Sequence, residues 1–403
     1  MAELNAKRLH IAYEPIGKID FDRAAKALYY LAFVIYSTFY IIDFTNLHLN
    51  ELVNVSHFVA FGLLIPKIVV QRYRVRELFF SIVLLAISFK SWQETGDRNL
   101  LILSVFLIAS QDVDVRRLAK ILLVEELAIL ILMMVLSANG LIEVEYQWRE
   151  GFGFRSSLGY SSPNRFGAAL LAICCSLVII HFPFNRATDY LVIILCAAVI
   201  YFVANSRTTA FVAILIAFLS TVCGKLRTPN SQRRLLLLFL IGYTLIVFVS
   251  IFMMMFYDAS NPFMTWINEF FSGRPWLINQ YYLLYPPTPF SFNWNTNIYS
   301  FYGYTTMIVD NAVDKLILGY GLVPATLYTG LYWALFYWSW KHNALTPCVF
   351  GAFIYAFVGL TEWQAMHFAY NYCLIGLSYL IFPNRFDLKP VIIGKGRRTV
   401  ESN

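Results

Sequence analysis

The chain has 403 residues, 59% of them hydrophobic and only 14% charged, with a mean hydropathy of +0.60; a water-soluble domain of that composition would expose large apolar patches, so the sequence predicts an integral membrane protein. The formal charge of +7 does not point to nucleic acid, because Lys and Arg are scattered between apolar runs and form no groove-sized basic tract. The six cysteines all fall inside apolar runs with none of the spacings of a zinc site or a secreted disulfide framework, which makes them reduced packing residues.

In chain order, the first 25 residues carry Lys7, Arg8, Lys18 and Arg23 without an apolar core or a small-residue cleavage site, so they read as a cytoplasmic tail and not as a cleaved signal. A bilayer core needs about 20 apolar residues per helix. Twelve spans are predicted, at 26–43, 52–70, 76–90, 99–111, 118–138, 163–182, 189–204, 207–223, 235–257, 312–340, 345–361 and 365–382, the third and fourth being short. The longest polar interruption, 258–311 between the ninth and tenth spans, is rich in Pro, Asn and aromatics, and 383–403 forms a second tail. No internal repeat or separate soluble domain is visible, so 1–403 is expected to be one all-α membrane domain.

Basic residues orient the spans, because translocating Lys and Arg is disfavoured. With the amino terminus inside, 23 of the 31 basic residues fall on the cytoplasmic side and eight outside: Lys90, Arg98, Arg149, Arg155, Arg165, Arg207, Arg274 and Lys315. Both termini are then cytoplasmic and 258–311 is an external loop.

Each external cation asks for a reason. In Phe154–Gly167 the chain enters the sixth span with Ser162 as an N-cap and Pro163 at the first helical position. Arg155 and Arg165 do not follow from a helix start, since a cation there faces the positive end of the dipole. The same conflict recurs at Asn205-Ser206-Arg207-Thr208-Thr209. A bound anion would resolve it, because helix N-terminal amides and guanidinium groups both favour phosphate; snorkelling to headgroups is the plainer explanation. In Phe271-Ser272-Gly273-Arg274-Pro275-Trp276, Gly273 permits a tight turn and Arg274 is the only basic residue between Asp258 and Asn311.

Acidic and aromatic candidates complete the set. Thr361-Glu362-Trp363-Gln364-Ala365-Met366-His367 places a carboxylate and an imidazole in a short external turn beside apolar walls, a setting in which ionisable groups are functional candidates. Asp310-Asn311-Ala312-Val313-Asp314-Lys315 reads as an N-cap followed by a first-turn acid, an ordinary role for Asp314 and less so for Asp310. Trp276, Tyr281 and Tyr282, with Trp266, Tyr285, Trp294 and Tyr299, form either a sugar-stacking surface or an interfacial belt. There is no P-loop, dinucleotide fingerprint or HExxH, and no series of acids and bases within the spans of the kind a proton-driven pump needs. Chemistry here would run on an already activated substrate.

Five pieces, in order, resemble the Wzy-type oligosaccharide repeat-unit polymerases of bacterial capsule, exopolysaccharide and O-antigen synthesis, relatives of the O-antigen ligases. They are Arg155–Gly167 (RSSLGYSSPNRFG), Asn205–Thr208 (NSRT), Ser272–Arg274 (SGR), Val309–Gly321 (VDNAVDKLILGYG), and Thr361-Glu362 with Asn371. They cover the second half of the chain, whereas the first five spans match only in hydropathy. The chain departs from the family's pattern at Val313-Asp314, where an aromatic such as Tyr is expected, and at Arg165, where a neutral residue is more usual.

The resemblance implies a multi-pass glycosyltransferase of the GT-C kind in the bacterial plasma membrane, with no metal or other cofactor. It would transfer a growing glycan from undecaprenyl pyrophosphate to a sugar hydroxyl of an incoming lipid-linked repeat unit at the outer leaflet, alongside a chain-length regulator. Pyrophosphate needs charge neutralisation more than a general acid, so fixed guanidinium groups suit it. Arg155, Arg207 and Arg274 are the expected clamp, with Arg165 beside them. Glu362 is the first candidate base, then His367, then Asp310. A flippase or other transporter, a ligase-like transferase and a purely structural subunit are the alternatives.

Overall fold

The computed structural model describes residues 21–47, 49–149, 153–226, 228–271, 273–292 and 309–382. The two tails and all of 293–308, with Trp294 and Tyr299, lie outside the described residues. Nine helices come first: α1 (Phe21–Asp43), α2 (Asn50–Val70), α3 (Val75–Thr95), α4 (Asn99–Ala109), α5 (Val115–Ala138), α6 (Pro163–His181), α7 (Ala187–Phe202), α8 (Arg207–Lys225) and α9 (Pro229–Phe256). They match the first nine predicted spans within a few residues. Among the described residues, six helices are long and apolar enough to cross a membrane: α1, α2, α5, α6, α8 and α9. Outward faces carry Val124, Ile131, Phe211 and Phe248 in exposed positions, as lipid-facing helices do and water-facing helices do not. The chain is a helical membrane protein.

α6 is the axis. Most of its apolar stretch is buried, and it packs against α5, α7 and α8. Gly167, Ala168, Ala169, Ala172, Cys174 and Cys175 give it small side chains that let neighbouring backbones approach. All six cysteines are unpaired, and five are fully buried. α1 packs on α2 and α5, and α9 on α13 (Leu322–His342).

Three expectations are corrected. The connection from α5 to α6 is not all loop: β1 (Tyr146–Arg149) pairs antiparallel with β2 (Gly153–Ser156), setting Gln147 opposite Arg155. The tenth span is not one helix. Asn311 caps α12 (Ala312–Asp314), which widens into a π-helical turn over Lys315–Tyr320 before Gly321, at φ +100°, releases the chain into α13. A Cβ at Gly321 would lie 2.6 Å from the Phe290 Cα, so only glycine fits there. The twelfth span is not a continuous helix either. α14 (Pro347–Val358) is followed by short 3₁₀ turns at Trp363–Met366 and Tyr372–Leu377, then α15 (Ser378–Ile381). Asn371 Nδ2 donates to Ala365 O (2.7 Å) and Tyr332 OH (2.9 Å), a side-chain bond that competes with helical pairing. Protein surrounds this segment on all sides, so its backbone need not satisfy itself as a lipid-exposed helix must.

The polar interruption after α9 also contains structure. α10 (Pro262–Phe270) and α11 (Arg274–Leu284) fold back against the end of α9, held by Asn279 Nδ2 donating to Met254 O (2.9 Å) and Trp276 N donating to Asn268 Oδ1 (2.9 Å).

Candidate functional site

The ends of several elements meet at one end of the bundle. Tyr160, just before α6, bridges to Thr45 after α1, and Ser161 N donates to Phe44 O (2.8 Å). Ser156 N donates to Val203 O (2.9 Å), which sets the hairpin against the turn leading to Arg207. Ala312 N donates to Gly359 O (2.7 Å), joining the start of α12 to the turn after α14. These contacts bring residues that are 200 apart in sequence into one polar group.

At its centre is Glu362, buried at 7% exposure in the turn that follows α14. The charges acting on it are Asp310, Arg274 and Arg165. Burial pushes its carboxyl up to about 8; Asp310 adds to that, while the two arginines oppose it. No hydrogen bond to this carboxyl occurs among the described residues. Asp310 is engaged from the other side, accepting from Arg274 Nε at 2.8 Å. Arg274 opens α11, where Gly273 at φ +84° makes the turn that aims it. Asn311, and not Asp310, caps α12, its Oδ1 accepting from Val313 N and Asp314 N. Asp310 is thereby free to face Arg274.

Arg165 reaches the group from α6. Ser162 Oγ accepts from Arg165 N (3.3 Å) as the expected N-cap, and Pro163 occupies the first turn. The guanidinium Nη1 donates to Asp43 O (3.1 Å) and Ser161 Oγ (2.8 Å), and it lies over the Phe44 ring. These acceptors offset the unfavourable helix dipole.

Around this centre runs a line of buried and half-buried rings. His367 contacts Trp363 (3.9 Å between centroids) and Tyr40 (4.8 Å), Tyr40 contacts Tyr36, and Tyr36 contacts His57. Lys315 Nζ lies over the Trp363 ring. Both ring nitrogens of His367, both tyrosine hydroxyls and His57 Nδ1 are buried without a hydrogen-bond partner among the described residues. Such a set ordinarily meets water or ligand. His57, Lys315 and Arg165 surround His367 with basic groups.

Of the expected clamp, Arg274 acts electrostatically on Glu362, as does Arg165 beside it. Arg155 stands one step out on β2, donating to Gln147 and, at 3.5 Å, to Asn164 Oδ1 beside Arg165. Arg207 is exposed at the first residue of α8. The sugar-stacking reading of Tyr281 is corrected: at 1% exposure its ring has no free face. Tyr282 packs half-buried on the core and Trp276 is half-buried on α11. Asp314 is buried and not a solvated first-turn acid, and its Oδ1 has no hydrogen-bond partner among the described residues.

Lys315 and Asp314, named in the sequence without a role in the site, are two charges at the head of an apolar segment. The acids Glu125 and Glu126 lie within α5: Glu125 accepts from Ser37 Oγ (2.6 Å) and Thr38 Oγ1 (2.9 Å) of α1, and Glu126 is buried. Among the described residues no cluster of His, Cys, Asp and Glu could hold a metal ion.

Arg274 also borders a cavity of about 300 Å³ between α9, α10, α11 and α12. Comparison of the chain with family models, curated proteins and solved structures finds no match.

Proposed function

We propose that the chain is a membrane glycosyltransferase that polymerises oligosaccharide repeat units carried on undecaprenyl pyrophosphate, working at the outer leaflet of a bacterial plasma membrane. In this reading it has about twelve spans in a GT-C-like arrangement and both termini are cytoplasmic. The observation that carries it is the grouping of Glu362, Asp310, Arg274 and Arg165 at the end of the bundle the charge pattern assigns to the outside. Fixed guanidinium groups in a water-poor site stabilise a departing pyrophosphate, and a carboxyl that titrates near neutrality is suited to accept a proton.

The step balances simply. A sugar hydroxyl of the acceptor attacks the anomeric carbon of the donor, the bond from that carbon to the pyrophosphate oxygen breaks, and the hydroxyl proton passes to the Glu362 carboxylate. Undecaprenyl pyrophosphate leaves as the dianion or trianion beside Arg274 and Arg165.

One observation favours a second reading. Glu125 and Glu126 within α5 are the kind of intramembrane acids that translocators use. Gel profiles of lipid-linked glycans from cells lacking the protein separate the readings. Accumulated single repeat units on the outer leaflet, rescued by the parent chain and not by Glu362→Gln or Arg274→Ala, are expected of the polymerase. Species trapped on the inner leaflet would replace it with a flippase, and full-length unligated polymer with a ligase.

A further inference from the structure

Little of α10 is gripped by the protein itself. The helix has nine residues and none of them is buried, whereas a helix that short draws its stability from a face packed on other structure more than from its own hydrogen bonds. On its inner side Ile267 borders the cavity of about 300 Å³, so it meets open space in place of packed side chains. The side-chain ties of α10 are local: Thr265 Oγ1 donates to Ala259 O (3.1 Å), and Asn268 Oδ1 accepts from Trp276 N (2.9 Å).

The outer side is the aromatic one. Phe263, Trp266 and Phe270 are 65%, 59% and 60% exposed, with successive ring centroids 6.2 and 6.0 Å apart. They continue a column on α9, a helix long and apolar enough to cross a membrane, where Phe248, Phe252 and Phe256 are exposed with centroids 6.0 and 5.5 Å apart. That column ends with α9 at Phe256, and α10 starts just beyond it at Pro262. α10 contains no Lys or Arg, and Glu269 is its one charged residue, so it carries nothing that would bind an anionic surface by charge. Exposed Trp and Phe that follow directly from a lipid-facing helix match the boundary between headgroups and hydrocarbon, where such rings collect.

We infer that α10 is an interfacial anchor, lying in that boundary layer with Phe263, Trp266 and Phe270 inserted, and that through it the membrane holds Arg274 in place. The last turn of α10 supplies the grip. Gly273 N donates to Asn268 O (2.7 Å), and Phe271 O accepts from both Arg274 N and Arg274 Nη1 (3.4 Å each). The guanidinium that pairs with Asp310 is therefore tethered to α10. The anchor is independent of what the site transfers and holds equally for a polymerase, a ligase or a translocator.

The test uses the full-length protein, one copy per nanodisc, in phosphatidylcholine, and reads tryptophan emission. The difference between the parent and Trp266→Phe isolates Trp266. The difference between the parent and Trp276→Phe isolates Trp276, which is tied to α10 through Asn268. Phosphatidylcholine brominated near the glycerol end of its acyl chains should quench Trp266 more than the same lipid brominated near the chain ends. Aqueous acrylamide should quench Trp266 at least about threefold less than it quenches a free tryptophan amide. Replacing Phe263 and Phe270 together by Ser leaves no cavity, because both are exposed, and should raise acrylamide quenching of Trp266 and Trp276 at least about twofold. Trp266 as open to acrylamide as the free amide overturns the anchor by placing α10 in water. Trp266 shielded from acrylamide yet quenched by neither brominated lipid overturns it by placing α10 under protein or glycan. Trp276 quenching that stays unchanged in the double variant removes the hold on Arg274.

Discussion

Asp310 and Arg274 act on Glu362 as a pair, and breaking the pair from opposite sides should move the same titration in opposite directions. Their contact is 2.8 Å, with 17% and 32% of the two side chains exposed, so each largely cancels the other's field at the buried carboxyl. Arg274→Gln leaves Asp310 uncompensated and raises the Glu362 carboxyl above about 8; Asp310→Asn leaves Arg274 uncompensated and lowers it. A close charge moves a carboxyl by about 1–3 pK units. Partial exposure of both partners screens that, and a shift of about one unit each way is expected. A general base must be deprotonated, so activity rises with pH through its pKa. Polymer formation in membrane vesicles supplied with lipid-linked repeat units, followed from pH 6 to 9.5, should show the rising limb near 8 in the parent, higher in Arg274→Gln and lower in Asp310→Asn. Arg274→Gln should also lose about 10²- to 10³-fold at the plateau through the missing leaving-group donor. Limbs that stay together in all three proteins would refute the role given to Glu362, and limbs that move the same way would refute the pairing.

Glu362→Gln should alter stability in a pH-dependent manner. Because the folded carboxyl binds its proton up to about 8 and the unfolded one only to about 4.5, the parent loses stability as pH rises through that window. The thermal midpoint of Glu362→Gln in detergent should exceed the parent's at pH 8.5 and converge with it near pH 4.5; a constant difference contradicts the burial argument. Gly351→Ala should destabilise by about 1–3 kcal/mol, since an added Cβ would meet Cys373 Sγ at 2.2 Å, and Cys373→Ala should recover part of that loss in the double variant's melting curve. Asn371→Leu removes two buried hydrogen bonds and leaves Ala365 O and Tyr332 OH unpaired, which should cost about 2–4 kcal/mol in chemical denaturation; a neutral result would mean that the break in the last segment does not depend on Asn371.

Helix α6 shows what could be read before folding. Ser162, Pro163 and the apolar run behind them specify where it starts and that it is buried, since capping and hydropathy act within one or two turns of chain. The same locality explains why the positions of α1 to α9 were legible to within about six residues. It also explains why the tenth and twelfth spans were not: Asn371 pairs with Tyr332, 39 residues away, and Gly321 must clear Phe290, contacts that hydropathy cannot register. Glu362, Arg274, Arg165 and Asp310 were identifiable as residue types out of place in an apolar sequence. Their grouping was not, nor was the exclusion of Tyr281 from any open surface. Sequence determined the solvent of this protein and the identity of its anomalous charges, because both are properties of composition and local pattern. Tertiary structure decided which charges face one another and which face α10 turns outward, because electrostatics and packing act through distances that only folding sets.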